Sequence, residues 1–408
     1  MTDSIKPTPA LINDWANKKD GPVALHLKQM LSPVEEGNHS VVFPPTYADI
    51  GYNVDILSDG TKVAAIDSVG SQANRIEPIF KEEPYAALVP QIAIEISINK
   101  TKKGEDRIVR RSLLDLAHRS ADATVYCCPT LGPEIKAAFK ALNISNDAGP
   151  LCRIAPTSLL FGVWDSRGGT GEKRPRIVRS IIRAWDVDLL HSAAQFNSIR
   201  KVLEESMLDA LENEAKKKKS KKLSDVGLDD APAVFRRLKG NAAKEMPEYR
   251  NGFPNPERRV LGGVLVRGSI ERDVTINMST LRKLEGANDN ETLAIRRYIL
   301  SLALIAATTD FDLYLREGCH LRLLEEDKWQ VIPRRGASKR IDLTSRQAVE
   351  TLTKYAKGAA KGFQSEFNKS AREEFGKDWA DALEKQVHVF DISEAKKLIA
   401  TAPVEEEE

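Results

Sequence analysis

Leu293 to Thr308 has helical spacing and becomes apolar on every side. A helix without a polar face must be covered all round, so it lies inside a sizeable core. Its flanks say what covers it. Val264 to Ile276 alternates: Val264, Val266, Ile270, Val274 and Ile276 share one face and Arg267 lies on the other, which is strand periodicity. Phe311 to Leu324 returns as a strand. Nearer the start, Val23 to Leu31 and Gln91 to Ile98 (QIAIEISI) also read as strands, with a short helix between them. Strand, helix, strand, followed later by strand, helix, strand, is the skeleton of a split βαβ sheet. The predicted fold class is therefore α+β, an RRM-like (ferredoxin-like) sheet with large insertions.

The short helix is the most informative stretch for function. Val63 to Ile66 is apolar and runs into Asp67 and Ser68, two good N-cap residues. One or two helical turns then carry Ser71, Gln72, Asn74 and Arg75 near the exposed start. Amide, hydroxyl and guanidinium groups beside free backbone N–H groups can face a phosphate, although a capped surface helix has the same pattern. A second segment, Ala155 to Gly169, reads as a buried strand over Thr157 to Val163 running into a glycine-rich turn. Gly168 to Gly171, with Arg167, Lys173, Arg174 and Arg176 around it, suits either close backbone approach to a phosphate or a flexible hairpin tip. Arg176, Arg179 and Arg183 recur at helical spacing, yet the intervening Ile and Val residues have strand composition, so the residues leave helix and strand both open.

Four blocks, Asp67–Pro78 (DSVGSQANRIEP), Ser112–Ala123 (SLLDLAHRSADA), Ala155–Val187 and Gly262–Leu324, together resemble one family. It is the backbone subunit of the Cascade surveillance complex in type I-U (also called I-G) CRISPR systems, a branch of the Cas-seven family in the RAMP superfamily. The resemblance covers roughly a third of the chain, in the family's order. It implies an RRM-like palm with finger and thumb insertions, and several copies polymerised along a guide RNA (crRNA) whose bases stay free to pair with target DNA. The implied partners are guide RNA, target DNA, further copies of the chain, the large subunit, and a fused subunit that caps and processes the guide. The implied RNA-binding residues are Ser71, Gln72, Asn74, Arg75, Arg119, Arg167, Lys173, Arg174, Arg176, Arg179 and Arg267. No catalysis, cofactor or metal is implied for this subunit.

Several other classes find little support in the residues. No Walker A string, G-x-G-x-x-G after a strand, H-E-x-x-H or paired Cys-x-x-Cys occurs. The cysteines Cys127, Cys128, Cys152 and Cys319 lack disulfide-framework spacing, and reduced, buried thiols are expected. Asp310 and Asp312 have metal-friendly spacing but no further ligands nearby in sequence. His118, beside Arg119 and near Asp122, keeps an enzyme alternative open: a guide-processing endoribonuclease of the same superfamily. A third class, an RRM-like regulator of messenger RNA, needs aromatics on the central strands, where aliphatic residues stand instead. The start, Met1 to Pro7, is unlike a signal peptide, and the apolar stretch around Ile299 to Ala307 is too short to span a bilayer, so a cytoplasmic protein with no membrane partner is expected.

The formal net charge of +2 hides an asymmetry between the basic stripe from Arg167 to Arg183 and the glutamates after Val404. Such a stripe fits a surface that meets a polyanion. The organisation reads as 1–196, the N-terminal part of the palm with insertions; 197–259, a Lys-rich insertion centred on Lys216–Lys222; 260–343, the rest of the palm; and 344–408, C-terminal helix with an acidic tail. The Lys-rich segment buries no apolar surface, so mobility, early proteolytic cleavage and dispensability for assembly are expected of it.

Overall fold

The computed structural model describes residues 4–35, 37, 40–47, 50–100, 106–165, 173–192, 204–217, 260–370 and 386–401. The centre of Lys216–Lys222, the glycine-rich loop and the glutamate tail lie outside these. A nine-stranded antiparallel sheet forms the centre. Its strands are β1 (Ala24–Pro33), β2 (Val54–Ile56), β3 (Lys62–Asp67), β4 (Val178–Trp185), β5 (Ile270–Asn277), β6 (Tyr314–Arg316), β7 (Cys319–Leu323), β8 (Gln330–Ile332) and β9 (Lys339–Arg340). The main order is β6-β7-β1-β5-β4-β3-β2, and β8 pairs with both β1 and β9.

Register explains the core. Leu25, Leu27, Gln29 and Leu31 of β1 stand opposite Ile276, Val274, Arg272 and Ile270 of β5. The next strand adds Val178, Ser180, Ile182 and Ala184 to the same face. Paired residues of an antiparallel sheet share a face, so one end of this face is apolar, the other end is apolar, and Gln29, Arg272 and Ser180 form a polar seam between them. The two apolar ends belong to two separate buried clusters.

The helices that build the core and carry the polar residues include α1 (Pro9–Asn17), α2 (Val69–Ile76), α3 (Leu131–Ser145), α4 (Gly149–Ile154), α5 (Pro156–Phe161), α6 (Asp289–Thr308) and α7 (Arg346–Lys369). Helix α6 is the buried one, with every residue from Tyr298 to Ala307 inside. Its cover includes α7, whose Ala348, Leu352, Ala356, Ala360, Phe363 and Phe367 form one buried stripe. Tyr298 stacks on Phe363 with ring centroids 5.4 Å apart. Helix α7 is thus half of a packed pair.

Three local expectations change. Thr157 to Val163 is not a strand: Pro156 sits in the first turn of α5, where its missing N–H has no cost, and Gly162 at φ +76° ends the helix. Leu113, Leu116 and Ala117 have the spacing of a helix, but Ser112 to Ala123 makes two short 3-10 turns, Leu113–Asp115 and Arg119–Ala121, with Arg119 itself at φ +54°. Val264 to Ile276 is two strands. Val260–Val266 pairs with Val187–Ser192 and Ser40–Val42 in a three-stranded sheet, and only Ile270–Asn277 stays in the central one. The bend is made at Gly268, where a Cβ would lie 2.6 Å from the Trp185 carbonyl oxygen.

Ile92–Lys100 and Asp106–Ser112 pair antiparallel in a separate sheet, with Ile92 and Ile94 in the main core. Gln386–Val389 joins its base as a parallel strand beside Ile92–Glu95. Among the described residues, no helix is long and apolar enough to cross a membrane.

Candidate nucleic-acid interface

Strand β3 ends in Asp67, and Ser68 caps α2 by accepting from the Ser71 N–H at 3.2 Å. The Asp67 side chain has no solvent exposure. Oδ1 accepts from Ser71 Oγ at 2.7 Å and Arg316 Nη2 at 3.2 Å. Oδ2 accepts from Gln72 Nε2 at 2.7 Å and Arg75 Nε at 3.1 Å. A second Arg75 nitrogen, Nη2, donates to the Leu315 carbonyl at 2.6 Å. A buried carboxylate needs such pairing, since unpaired charge in a core is very costly.

From there the network crosses the seam. Gln72 Oε1 accepts from Ser180 Oγ at 2.7 Å and Arg272 Nε at 3.0 Å. Arg272 Nη1 donates to Gln29 Oε1 at 2.9 Å, and Gln29 Nε2 donates to Asp327 at 2.7 Å. Phe311 lies 4.7 Å from the Arg272 guanidinium. Burial lowers the Arg272 pKa to about 10 despite the opposing pull of Asp327, Asp310 and Asp67, so it stays charged near neutrality.

A second buried guanidinium sits beyond the far end of α2. Arg119 Nε lies 2.7 Å from Glu77 Oε2, with both side chains enclosed. Its Nη2 donates to Asn74 Oδ1 at 3.1 Å and Nη1 to the Gly162 carbonyl at 3.4 Å. Burial pushes the Glu77 carboxyl up to about 7, against the pull of Arg119. The turn carrying Arg119 is tied to α5 by the Ser120–Ser158 hydroxyl pair at 2.7 Å. Arg176 passes close over Gly162, where its Cγ lies 2.8 Å from the position of a Cβ. Burial, then the charges of Arg119 and Arg179, lowers the Arg176 pKa, which makes the three guanidiniums electrostatic neighbours. Asn74, Arg176 and Arg179 are exposed around this centre.

The nominated residues therefore separate. Ser71, Gln72 and Arg75 join the network around Asp67, and Gln72 is fully buried. Asn74, Arg119 and Arg176 gather by Gly162, and Arg179 lies close enough to Arg176 for its charge to be felt there. Lys173 lies over the Trp164 ring at 4.6 Å. Arg174 donates to the Asn143 side chain and, at 3.4 Å, to the Leu142 carbonyl. Arg267 pairs with Asp188 at 2.6 Å beside the bend between sheets. Arg167 lies outside the described residues. His118 is largely exposed, with Nδ1 3.5 Å from Asp122.

Sequence reasoning missed Asp67 as a hub, Glu77 as a counter-ion and Arg272 as the charge in the seam. The last had a signal: Arg272 falls in the same alternating register as Ile270, Val274 and Ile276. Among the described residues, no group of three or more His, Cys, Asp or Glu is placed to hold a metal ion.

The protein is thus a mixed helix-and-sheet fold whose amide and arginine groups are braced from within. Residues 25–189 match the model of the family described as CRISPR-associated protein GSU0053 (Cas_GSU0053). This match covers about two fifths of the chain and makes that segment similar to the family. No curated protein matches the chain. A chain of a solved structure entitled "CRISPR RNA-guided surveillance complex, pre-nicking" aligns at 12% identity over 93% of this chain and 99% of that one, with a TM-score of 0.27, too low to bear on the fold.

Proposed function

We propose that this protein is the repeated backbone subunit of a CRISPR effector complex of type I-U (I-G), binding guide RNA and presenting it to target DNA. The observation that carries the reading is the family match over 25–189, which spans the whole α2 motif and the Asn74–Arg176–Arg179 surface. Asn74, Arg176 and Arg179 are the groups for phosphates and riboses. Buried Asp67, Gln72 and Arg119, with the half-buried Arg75, hold that surface in place, as preorganised binding requires.

The strand order also supports an RRM-like palm. Taken as β1, β4, β5 and β7, the central four strands lie in the order β7-β1-β5-β4, all antiparallel, with helices between β1 and β4 and α6 between β5 and β7. That is the split βαβ arrangement, with β3 and β2 added at one edge. In this reading the subunit oligomerises along the guide, meets the large subunit and the guide-capping subunit, works in the cytoplasm, and cuts nothing.

Labelled repeat RNA incubated with purified protein discriminates the alternatives. Length-dependent multimers are expected. Cleavage would make the protein a guide-processing endoribonuclease, for which the His118–Asp122 pair is the available acid–base feature; a discrete one-to-one complex would point to a stand-alone regulator.

A further inference from the structure

We propose that one end of the central sheet is a basic rim that carries the sugar-phosphate backbone of a nucleic-acid strand onward from Arg176 to the turn between β8 and β9. It rests on the nucleic-acid reading above and adds a second stretch of contact to it. The topology builds the rim. Neighbouring strands β4, β5, β1 and β8 all finish at one level, since Val178 stands opposite Ile276, and Ala24 opposite both Asn277 and Ile332. The chain beyond that level is basic on every one of them. Arg176 leads into β4, Arg282 and Lys283 follow β5, Lys19 precedes β1, and Arg334 and Arg335 follow β8. Neighbouring strands lie ~4.8 Å apart, so the row is about 14 Å long.

The cations are held in place but not neutralised. Arg282 donates through Nη1 to the Trp15 carbonyl at 3.3 Å and through Nη2 to the Pro22 carbonyl at 2.8 Å. Arg334 Nη2 donates to the Lys19 carbonyl at 2.6 Å. Carbonyl oxygens fix a guanidinium without cancelling its charge. Burial, then the charges of Arg334 and Arg296, lowers the Arg282 pKa, so these guanidiniums lie close enough to repel. Among the described residues, Lys19, Lys283 and Arg335 are exposed and have no ion-pair partner. The acids beside them are engaged: Asp20 acts on Lys18, and Glu285 accepts from Asn146 Nδ2 at 2.8 Å. A cleft of about 410 Å³, lined by Arg282, Lys283 and Pro175 among others, opens from the rim to the segment leading into Arg176. Gathered, unpaired cations cost the fold repulsion that a phosphate chain removes, and fixed guanidiniums match phosphate oxygens in pairs.

The test uses the full chain, kept limiting over oligouridine or oligodeoxythymidine of about 16 nucleotides, the upper site size for single-strand binders. Polyglutamate is the third probe, and affinity is read across a salt series. Lys283→Gln combined with Arg335→Gln removes two exposed charges and leaves the bonds of Arg282 and Arg334 intact. The log–log slope should flatten by about 1.4 on at least one strand, at about 0.7 per phosphate. Lys283→Arg with Arg335→Lys keeps both charges and should hold the wild-type slope, which excludes misfolding as the cause. Flattening on oligouridine alone assigns the rim to guide RNA, and on oligodeoxythymidine alone to target DNA; either result, or both, supports it. An unchanged slope while wild type binds would overturn the rim alone, as would a change confined to polyglutamate or to self-association. Failure of wild type to bind either strand would overturn the nucleic-acid reading with it.

Discussion

Arg272 Nε donates to Gln72 Oε1 at 3.0 Å, joining the middle of the sheet to the helix whose polar residues mark the family motif. The same Gln72 donates to Asp67 on its other side. Replacing it with leucine, a similar volume, leaves Asp67, Ser180 and Arg272 each short of a partner inside the core. A loss of about 2–3 kcal/mol in folding stability is expected, the range for buried polar groups left unpaired. Urea unfolding measures it, and a loss below ~0.5 kcal/mol would mean the network is replaceable by water. Arg75→Ala should show a similar stability loss together with ~1–3 kcal/mol of guide affinity.

Glu77 makes stability depend on pH in an unusual direction. Its carboxyl ionises near 4.5 in an unfolded chain and at about 7 in the fold. Between those values the folded protein holds a proton that the unfolded chain has released. Stability contributed by this group is therefore complete below pH 4.5, falls as pH rises towards 7, and changes no further above it. The slope can reach ~1.4 kcal/mol per pH unit. Glu77→Gln cannot titrate, so denaturation series across pH 5–7 should show a flatter profile than wild type, whatever the overall offset from removing the Arg119 counter-ion.

Exposed and engaged arginines should differ in salt titrations of RNA binding. Each phosphate neutralised on a single strand contributes about 0.7 to the log–log slope. Arg176→Gln combined with Arg179→Gln should flatten the slope by about 1.4. Arg174→Gln, whose guanidinium is already bonded to Asn143 and the Leu142 carbonyl, should alter it little. Equal effects from all three would place the strand along the whole stripe.

His118→Ala should leave guide processing by the assembled complex unchanged. A largely exposed imidazole 3.5 Å from one carboxylate is a surface pair rather than a braced base. If wild-type protein alone cleaves repeat RNA and this variant does not, the subunit is an endoribonuclease.

The residues disclose the sheet better than the site. β1, β5 and α6 fall close to where alternation and all-round apolarity predict them, because burial on one face or on all faces writes directly into composition, whereas the residues of β4 leave helix and strand open. α5 is hidden because Leu159, Leu160 and Phe161 are buried as a continuous run, which a short helix and an inner strand share. The strand break at Gly268 is hidden because both halves keep the alternation. Gln72 reads as a surface group because helical spacing sets its direction from α2 but not what the sheet places there: Ser180 and Arg272, on strands remote in sequence.

Strand β1 has consequences for how the protein is made. His26 faces Asp273, 247 residues later in the chain, and Leu31 is flanked by Ile270 and Leu323. At ribosomal speeds of roughly 5–20 residues per second, the apolar face of β1 waits on the order of 10–60 s for its native neighbours. Pairing between such distant segments is intrinsically slow and exposes edges meanwhile. Yield from the cell should therefore respond to growth temperature and to holdase chaperones acting on the nascent N-terminal half, and a circular permutant that synthesises β5 before β1 should be released from that delay.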